Sequence, residues 1–384
     1  MTQVLTLGMN AQRPVKAVLA DARAGAPALS ANDWRLLAFY SWETDEQQIV
    51  PKGELPALLR QLAAACPADP AETATRLMLK AAALTDAKAA PRANAALRGR
   101  ALAVLADAPA ARAQMDVLTN YAADIVRALS TAKSPARAAL VGAFDAALTR
   151  LQADATLSRA DRLTALQARV DLVKIDTAKA VLPDALLAEV REQAARNDRE
   201  ITDGYERQAV ITSAAYLLEQ AGLVAESDAL LKANLAKSHS PYYLMSQLSS
   251  NAKQRGDTAD ALHWSQQAFD SAEGPATRLQ WGASYVGTLV ELAPQDEARI
   301  ERAAQQLFNE AAAQPNAFYE RSARSLQRAA DKLQVWNRRG AHAAVLQRLR
   351  MQLGSVCALL PAGDAQHAVC EGLLKPVARL RRSA

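Results

Sequence analysis

The sequence predicts an all-α protein, a tetratricopeptide-like solenoid of helical hairpins (an α-α superhelix), and three observations carry that prediction. Gly222 and Gly256 are set apart by the same interval as Pro241 and Pro275, and that interval is the period of a helix-turn-helix unit that stacks on its neighbours. With each glycine at the turn between paired helices, small residues fall where the two helices cross: Ala215 and Ser227 in one unit, Ser249 and Ala261 in the next. The composition agrees, with 88 alanines, 5% aromatics and 15 glycines in 384 residues, because alanine has the highest helix propensity and lets helix axes approach closely. Long β-rich stretches are absent.

Element by element, the first dozen residues read as loose and 25–30 as a loop. A helix starting at Asn32 as its cap carries Trp34, Leu36, Leu37 and Tyr40. Helical runs follow at 54–66, 69–84, 91–106, 110–130, 135–153 and 158–175, divided by Pro67, Pro70, Pro91, Pro109 and Pro135. Most repeat apolar residues at three- and four-residue spacing, as in Leu140, Val141, Phe144, Leu148 and Leu151. Ser158 caps one of these helices with Asp161 three residues on, and Pro183 opens another through about Asn197. In the repeated units, Ile211, Leu218 and Leu231 fill the first core and Met245, Leu248, Trp264 and Ala268 the second, while a degenerate third unit runs from Thr277 to Gln314. The resulting organisation is a loosely ordered segment 1–30, a helical hairpin array 31–200, tetratricopeptide-like repeats 201–315 and a basic helical cap 316–384.

Half the residues are apolar and 22% charged, a balance that favours a packed core over disorder. No run of 18 apolar residues exists, so no membrane span is expected, and residues 1–10 lack the basic start and apolar stretch of a signal peptide. By itself that points to the cytoplasm. The net charge of +5 is uneven: from Pro315 onward twelve Lys and Arg face four acids. Such an end attracts anionic partners, yet Phe318, Tyr319 and Trp336 are its only aromatics, too few for stacking on bases, so nucleic acid is not the expected partner. Cys357 and Cys370 flank a turn at 360–364, which brings them face to face if antiparallel helices meet there, either as a disulfide or as two buried thiols. Cys66 reads as an inert thiol.

In a stacked hairpin array the first helix of each pair lines the concave face. Its outward positions here are Tyr216, Glu219 and Gln220, then Tyr243, Ser246, Ser250, Lys253 and Gln254, and these are the candidate contacts for a protein or peptide partner. Tetratricopeptide domains that clamp a terminal carboxylate place Lys and Asn where this chain has Thr212, Tyr216, Ser246 and Ser250, so that clamp is missing. The competing reading is a hydrolase using the carboxylates Asp198, Glu200, Asp203 and Glu206. Helix caps and a solvated acidic face account for those residues more simply. His239, His263, His342 and His367 lack metal-ligand spacing, and phosphate-binding glycine loops are absent, so neither metal nor cofactor is expected.

The run 201–296, with ITDGYERQAVITSAAYLLEQAG, LLKANLAKSHSPYYLMSQLSSNAKQRGD and EGPATRLQWGASYV, resembles the C-terminal helical region of bacterial thioredoxin-family proteins, as do FYERSARSLQR and the Cys357 to Cys370 hairpin. The resemblance covers roughly the second half of the chain. It implies a helical module that binds clients or partners for thiol-redox chemistry done elsewhere, and a periplasmic address. This chain has no Cys-x-x-Cys, so no residue of it inherits thiol-disulfide activity; that chemistry would need a thioredoxin domain.

Overall fold

The structure, a computed structural model, describes residues 30–44, 50–67, 71–85, 95–177 and 179–375, together with Ala17 and Ala20. Among them are nineteen α-helices and no strand, so the chain is all-α. The segment 1–30, expected to be loose, lies outside the described residues apart from Ala17, Ala20 and Ser30. Chain contacts divide the protein into two compact units, 1–191 and 192–384. The division falls inside one helix, Asp184–Glu200, and not at 200/201.

The first unit contains α1 (Ala31–Phe39), α2 (Leu55–Ala65), α3 (Ala71–Ala83), α4 (Ala95–Ala106), α5 (Ala108–Ala113), α6 (Met115–Asn120), α7 (Ala122–Leu129), α8 (Pro135–Ala153), α9 (Arg159–Val173) and the start of α10 (Asp184–Glu200). Ser30 caps α1 through a reciprocal bond with Asp33, and Asn32 falls inside the helix. Ser158 caps α9, accepting from the Asp161 amide at 3.1 Å. The pairs α2/α3 and α8/α9 are hairpins, but the continuous helix expected over 110–130 is three short ones, interrupted at Gln114 and Tyr121. The physical reason is visible at Gln114. This residue is 2% exposed and donates to the Glu72 carbonyl at 3.0 Å, and next to it Asp116 forms a two-pronged pair with the buried Arg76. These tertiary bonds override the apolar period, so this unit is less regular than a hairpin array.

The second unit is regular. After α10 come α11 (Gly204–Gln220), α12 (Val224–Asn234), α13 (Tyr242–Gln254), α14 (Thr258–Asp270), α15 (Pro275–Leu292), α16 (Glu297–Ala312), α17 (Glu320–Trp336), α18 (Ala343–Cys357) and α19 (Ala365–Gly372). Helices α11/α12, α13/α14 and α15/α16 pair as hairpins, and α13 packs on α11 and α12, α15 on α14, α17 on α15 and α18 on α16. The stack therefore continues past residue 315: the region expected to be a separate cap lays α17 and α18 on the two helices of the third hairpin, with α19 closing on α18. The third hairpin begins at Pro275, behind the left-handed Gly274, rather than at Thr277.

Both repeat glycines do the same job. Gly222 has φ +85 and Gly256 φ +76, a conformation that side chains with a Cβ resist. Each ends its helix in the same pair of bonds: Gly222 N to Glu219 O at 2.9 Å with Leu223 N to Leu218 O at 2.8 Å, and Gly256 N to Lys253 O at 3.0 Å with Asp257 N to Ala252 O at 2.9 Å. Where the helices then cross, Ser227 Oγ donates to the Ala215 carbonyl and Ser249 Oγ to the Ala261 carbonyl, each at 2.7 Å.

A third close crossing involves Gly282 in α15. A Cβ built there would lie 2.9 Å from two ring atoms of Phe269 and 3.0 Å from Leu307 Cδ1, both residues being fully buried. Gly282→Ala is therefore expected to destabilise by about 1–2 kcal/mol, because overpacking a dense core outweighs alanine's helix propensity. Gly142→Ala, in α8 where a Cβ meets nothing within 4 Å, is expected to stabilise by about 0.5–1 kcal/mol. Urea unfolding of both variants checks the pair; equal shifts would contradict the close packing at Gly282.

Candidate functional site

The first helices α11, α13, α15 and α17 form a row in which each is joined to the next by side chains. Glu219 accepts from Gln220 and, at 2.8 Å, from Gln254 of the next hairpin. Lys253 pairs with Glu291 of α15, and Arg321 of α17 donates to Gln280 of α15. Of the eight residues expected to contact a partner, Glu219, Gln220, Lys253 and Gln254 thus take part in this lateral polar ladder. Tyr243 is half-buried and packs edge-on against Trp281, ring centroids 5.3 Å apart. Tyr216 remains 45% exposed, Ser250 is exposed and Ser246 half-buried. The outward surface of the first two hairpins is therefore Tyr216 and two serines over a cross-linked polar floor.

The row extends beyond the expected residues. One repeat period after Ser250 stands Ser284, which is exposed, and one period after Lys253 stands Gly287, its open side meeting only the Lys332 stem. On α17, Arg321, Arg324, Arg328 and Lys332 are all exposed and, at three- and four-residue spacing, share one face of the helix. The repeat offset points to Ser284 and Gly287, but not to the α17 residues, whose spacing is wider. The basic composition after residue 315 masked its continuation.

Behind this row, polar groups hold successive hairpins in register. Asn251 is fully buried and donates to Ser227 Oγ at 2.9 Å and to Asp228 Oδ1 at 2.8 Å, while Arg255 donates to the other Asp228 oxygen at 2.6 Å. At the next junction Arg299 donates to the Tyr285 hydroxyl at 2.8 Å and to Gln266 at 2.9 Å. Burial raises the Tyr285 hydroxyl's pKa, opposed by the hydrogen bond from Arg299.

The carboxylates of the hydrolase reading have structural partners. Asp203 caps α11 by accepting from the Glu206 amide at 2.8 Å. Asp198 pairs with the buried Arg207, which also donates to the Asp198 carbonyl at 2.9 Å, to the Ile201 carbonyl and to Asn234. Among the described residues no group of three or more His, Cys, Asp or Glu side chains is arranged to hold a metal, and no helix is long and apolar enough to cross a membrane.

At the far end of the stack, Cys357 of α18 and Cys370 of α19 are joined as a disulfide with Cα atoms 5.6 Å apart. A cavity of about 410 Å³ adjoins the bond, lined by Arg350, Leu353, Gly354, His367 and Leu374 among others. It lies between α18 and the segment 367–375 that contains the end of α19. Cys66, at the end of α2, is half-buried and unbonded, and burial raises its thiol pKa.

The chain matches no protein-family model and no curated protein. Among solved structures it is similar to a circular tandem repeat protein described as having novel repeat topology and enhanced subunit contact surfaces, at 13% identity over 88% of this chain and 80% of that chain, with a TM-score of 0.22. A likeness at that score carries no argument, and the repeat architecture rests on the stacked helices themselves.

The disulfide joins cysteines at a sequence separation of 13, which in chain-entropy terms stabilises by about 2–4 kcal/mol. Cys357→Ser plus Cys370→Ser is expected to lower the unfolding midpoint of the second unit, and dithiothreitol should do the same to the unaltered protein but not to the variant. A midpoint unchanged by both treatments would mean that α19 is held by its other contacts alone.

Proposed function

We propose that the chain is a non-catalytic interaction module that captures a protein or peptide segment along the first-helix row of its second unit. The observation that carries this reading is the row itself, an outward polar face held rigid by the Glu219–Gln254 and Lys253–Glu291 links. A surface whose parts are already tied together loses little freedom when it binds. The resemblance of residues 201–296 to the helical region of thioredoxin-family proteins supports a finer version, in which the module works beside a thiol oxidoreductase. The Cys357–Cys370 bond fits the oxidising compartment, such as the periplasm, that this version requires.

Site-specific photo-crosslinking tests the reading. A photoreactive residue at Ser250 or Ser284, on the row, is expected to yield a discrete protein adduct in a cell extract, reduced by Tyr216→Ala. The same group at Ala259 or His263, exposed on α14, should give none. Equal labelling from both faces, or no adduct from the row, removes the proposal. The hydrolase alternative requires turnover that Asp203→Ala abolishes; because Asp203 is an N-cap, the expected effect of that change is instead a stability loss of about 0.5–2 kcal/mol, read by thermal unfolding.

A further inference from the structure

The cavity beside the Cys357–Cys370 bond combines an apolar lining with a cation that has no counter-charge. Along α18, Arg350, Leu353, Gly354 and Cys357 all line it, and their spacing of three and four residues puts them on one helical face. Leu374 adds to the lining from the segment 367–375, and Leu353, Leu374 and both cysteines are buried. Water held against such walls finds few polar partners, so an apolar group that replaces it gains free energy. The volume of about 410 Å³ is within the range of pockets that enclose small ligands. The charges around it are answered unequally. Glu371, also on the lining, pairs with Lys375 at 3.5 Å and lies 3.9 Å from His367. Arg350 Nε donates to the Leu374 carbonyl at 2.9 Å, and among the described residues no carboxylate pairs with this guanidinium. Its remaining N–H donors keep the fork geometry that fits a carboxylate. Gly354 is a second, independent sign. Glycine weakens a helix relative to alanine, and no close packing demands it here, since a Cβ at this position meets nothing within 4 Å. What the missing side chain does is leave the lining open, one turn from Arg350.

We propose that this cavity binds a small amphipathic carboxylate, a linear acyl anion, with its head on Arg350 and its alkyl chain against Leu353, Leu374 and the disulfide. This inference goes beyond the proposed function and does not rest on it. Arg350 and Cys357 are seven residues apart, a rise of about 10.5 Å along the helix, so an alkyl chain has a length of apolar wall to follow away from the charge. The class of ligand follows from the lining. One unpaired cation suits a monoanion, whereas a phosphate ester would bring further negative charge towards Glu371. Among the described residues no aromatic side chain lines the cavity, so a nucleobase finds no platform to stack on.

The test is isothermal titration calorimetry of the full chain, its disulfide intact, with octanoate, decanoate and decanol. Decanoate is expected to bind at a single site. Each methylene enclosed by the cavity tightens binding about four-fold, the transfer value of a CH₂ group, so decanoate should exceed octanoate by about sixteen-fold. Arg350→Gln should weaken both acids about ten-fold, the worth of a hydrogen bond to a charged group, and leave their ratio unchanged. Decanol should bind the unaltered chain about as weakly as decanoate binds that variant. Gly354→Leu fills the opening without displacing a neighbour, so binding should be lost while the melting temperature holds or rises. Decanoate that fails to bind, binding kept in Gly354→Leu, decanol as tight as decanoate, or affinity independent of chain length would each overturn the proposal. Phosphatidylglycerol vesicles that bind the chain and release it in Arg350→Gln, with free decanoate inert, would assign the charge to a membrane surface and overturn it equally.

Discussion

The second unit depends on how closely its paired helices approach. At the crossing points a serine hydroxyl reaches the carbonyl of an alanine on the partner helix at 2.7 Å, which only small side chains permit. The serine sits on the second helix in one hairpin and on the first in the next, so the contact is kept in kind while its direction is reversed. With the helices fixed at that distance, the left-handed glycine between them sets the turn, the next hairpin finds a complementary surface, and the first helices are near enough for Glu219 to reach Gln254 and Lys253 to reach Glu291. The candidate binding row follows from the crossing geometry rather than from any one surface residue.

Buried arginines recur as the second structural device. Arg76 reaches the Ala38 carbonyl and Asp116; Arg137 reaches Ser130 and Asp176; Arg169 reaches Asp145 at 2.8 Å and Gln152 at 2.8 Å; and Arg207 joins Asp198 to Asn234. The guanidinium's five donors allow one side chain to satisfy carbonyl ends of a helix and a carboxylate together. Such bonds tie elements distant in sequence, and removing one partner leaves the other charge buried without compensation.

What could be read from the chain beforehand follows from these devices. Glycine and proline act through local backbone geometry, so the hairpins at 208–276 were legible from Gly222, Gly256, Pro241 and Pro275, and Ser158 was legible as a cap. The buried arginines were not, because a charged residue is ordinarily a surface residue until its partners are known. Residues 110–130 carry an intact apolar period, yet the helix breaks at Gln114 and Tyr121, where Gln114 bonds to Glu72 and Asp116 to the buried Arg76, partners distant in sequence. The continuation of the stack into α17 and α18 escaped notice because its composition is basic and its spacing is wider than the repeat period, although its apolar residues Leu326, Leu333, Leu346, Leu349 and Leu353 are all buried.

The junctions between hairpins also differ in their chemistry. Asn251 serves Asp228 at the first junction, but one repeat period later the corresponding places hold Tyr285 and Leu262, and one period earlier Leu217 stands where Asn251 does. Each interface thus carries a lock that only its own neighbour opens. Any other hairpin set beside the first would leave the Asp228 carboxylate without Asn251 and Arg255, so the order of these two units is written into the stack.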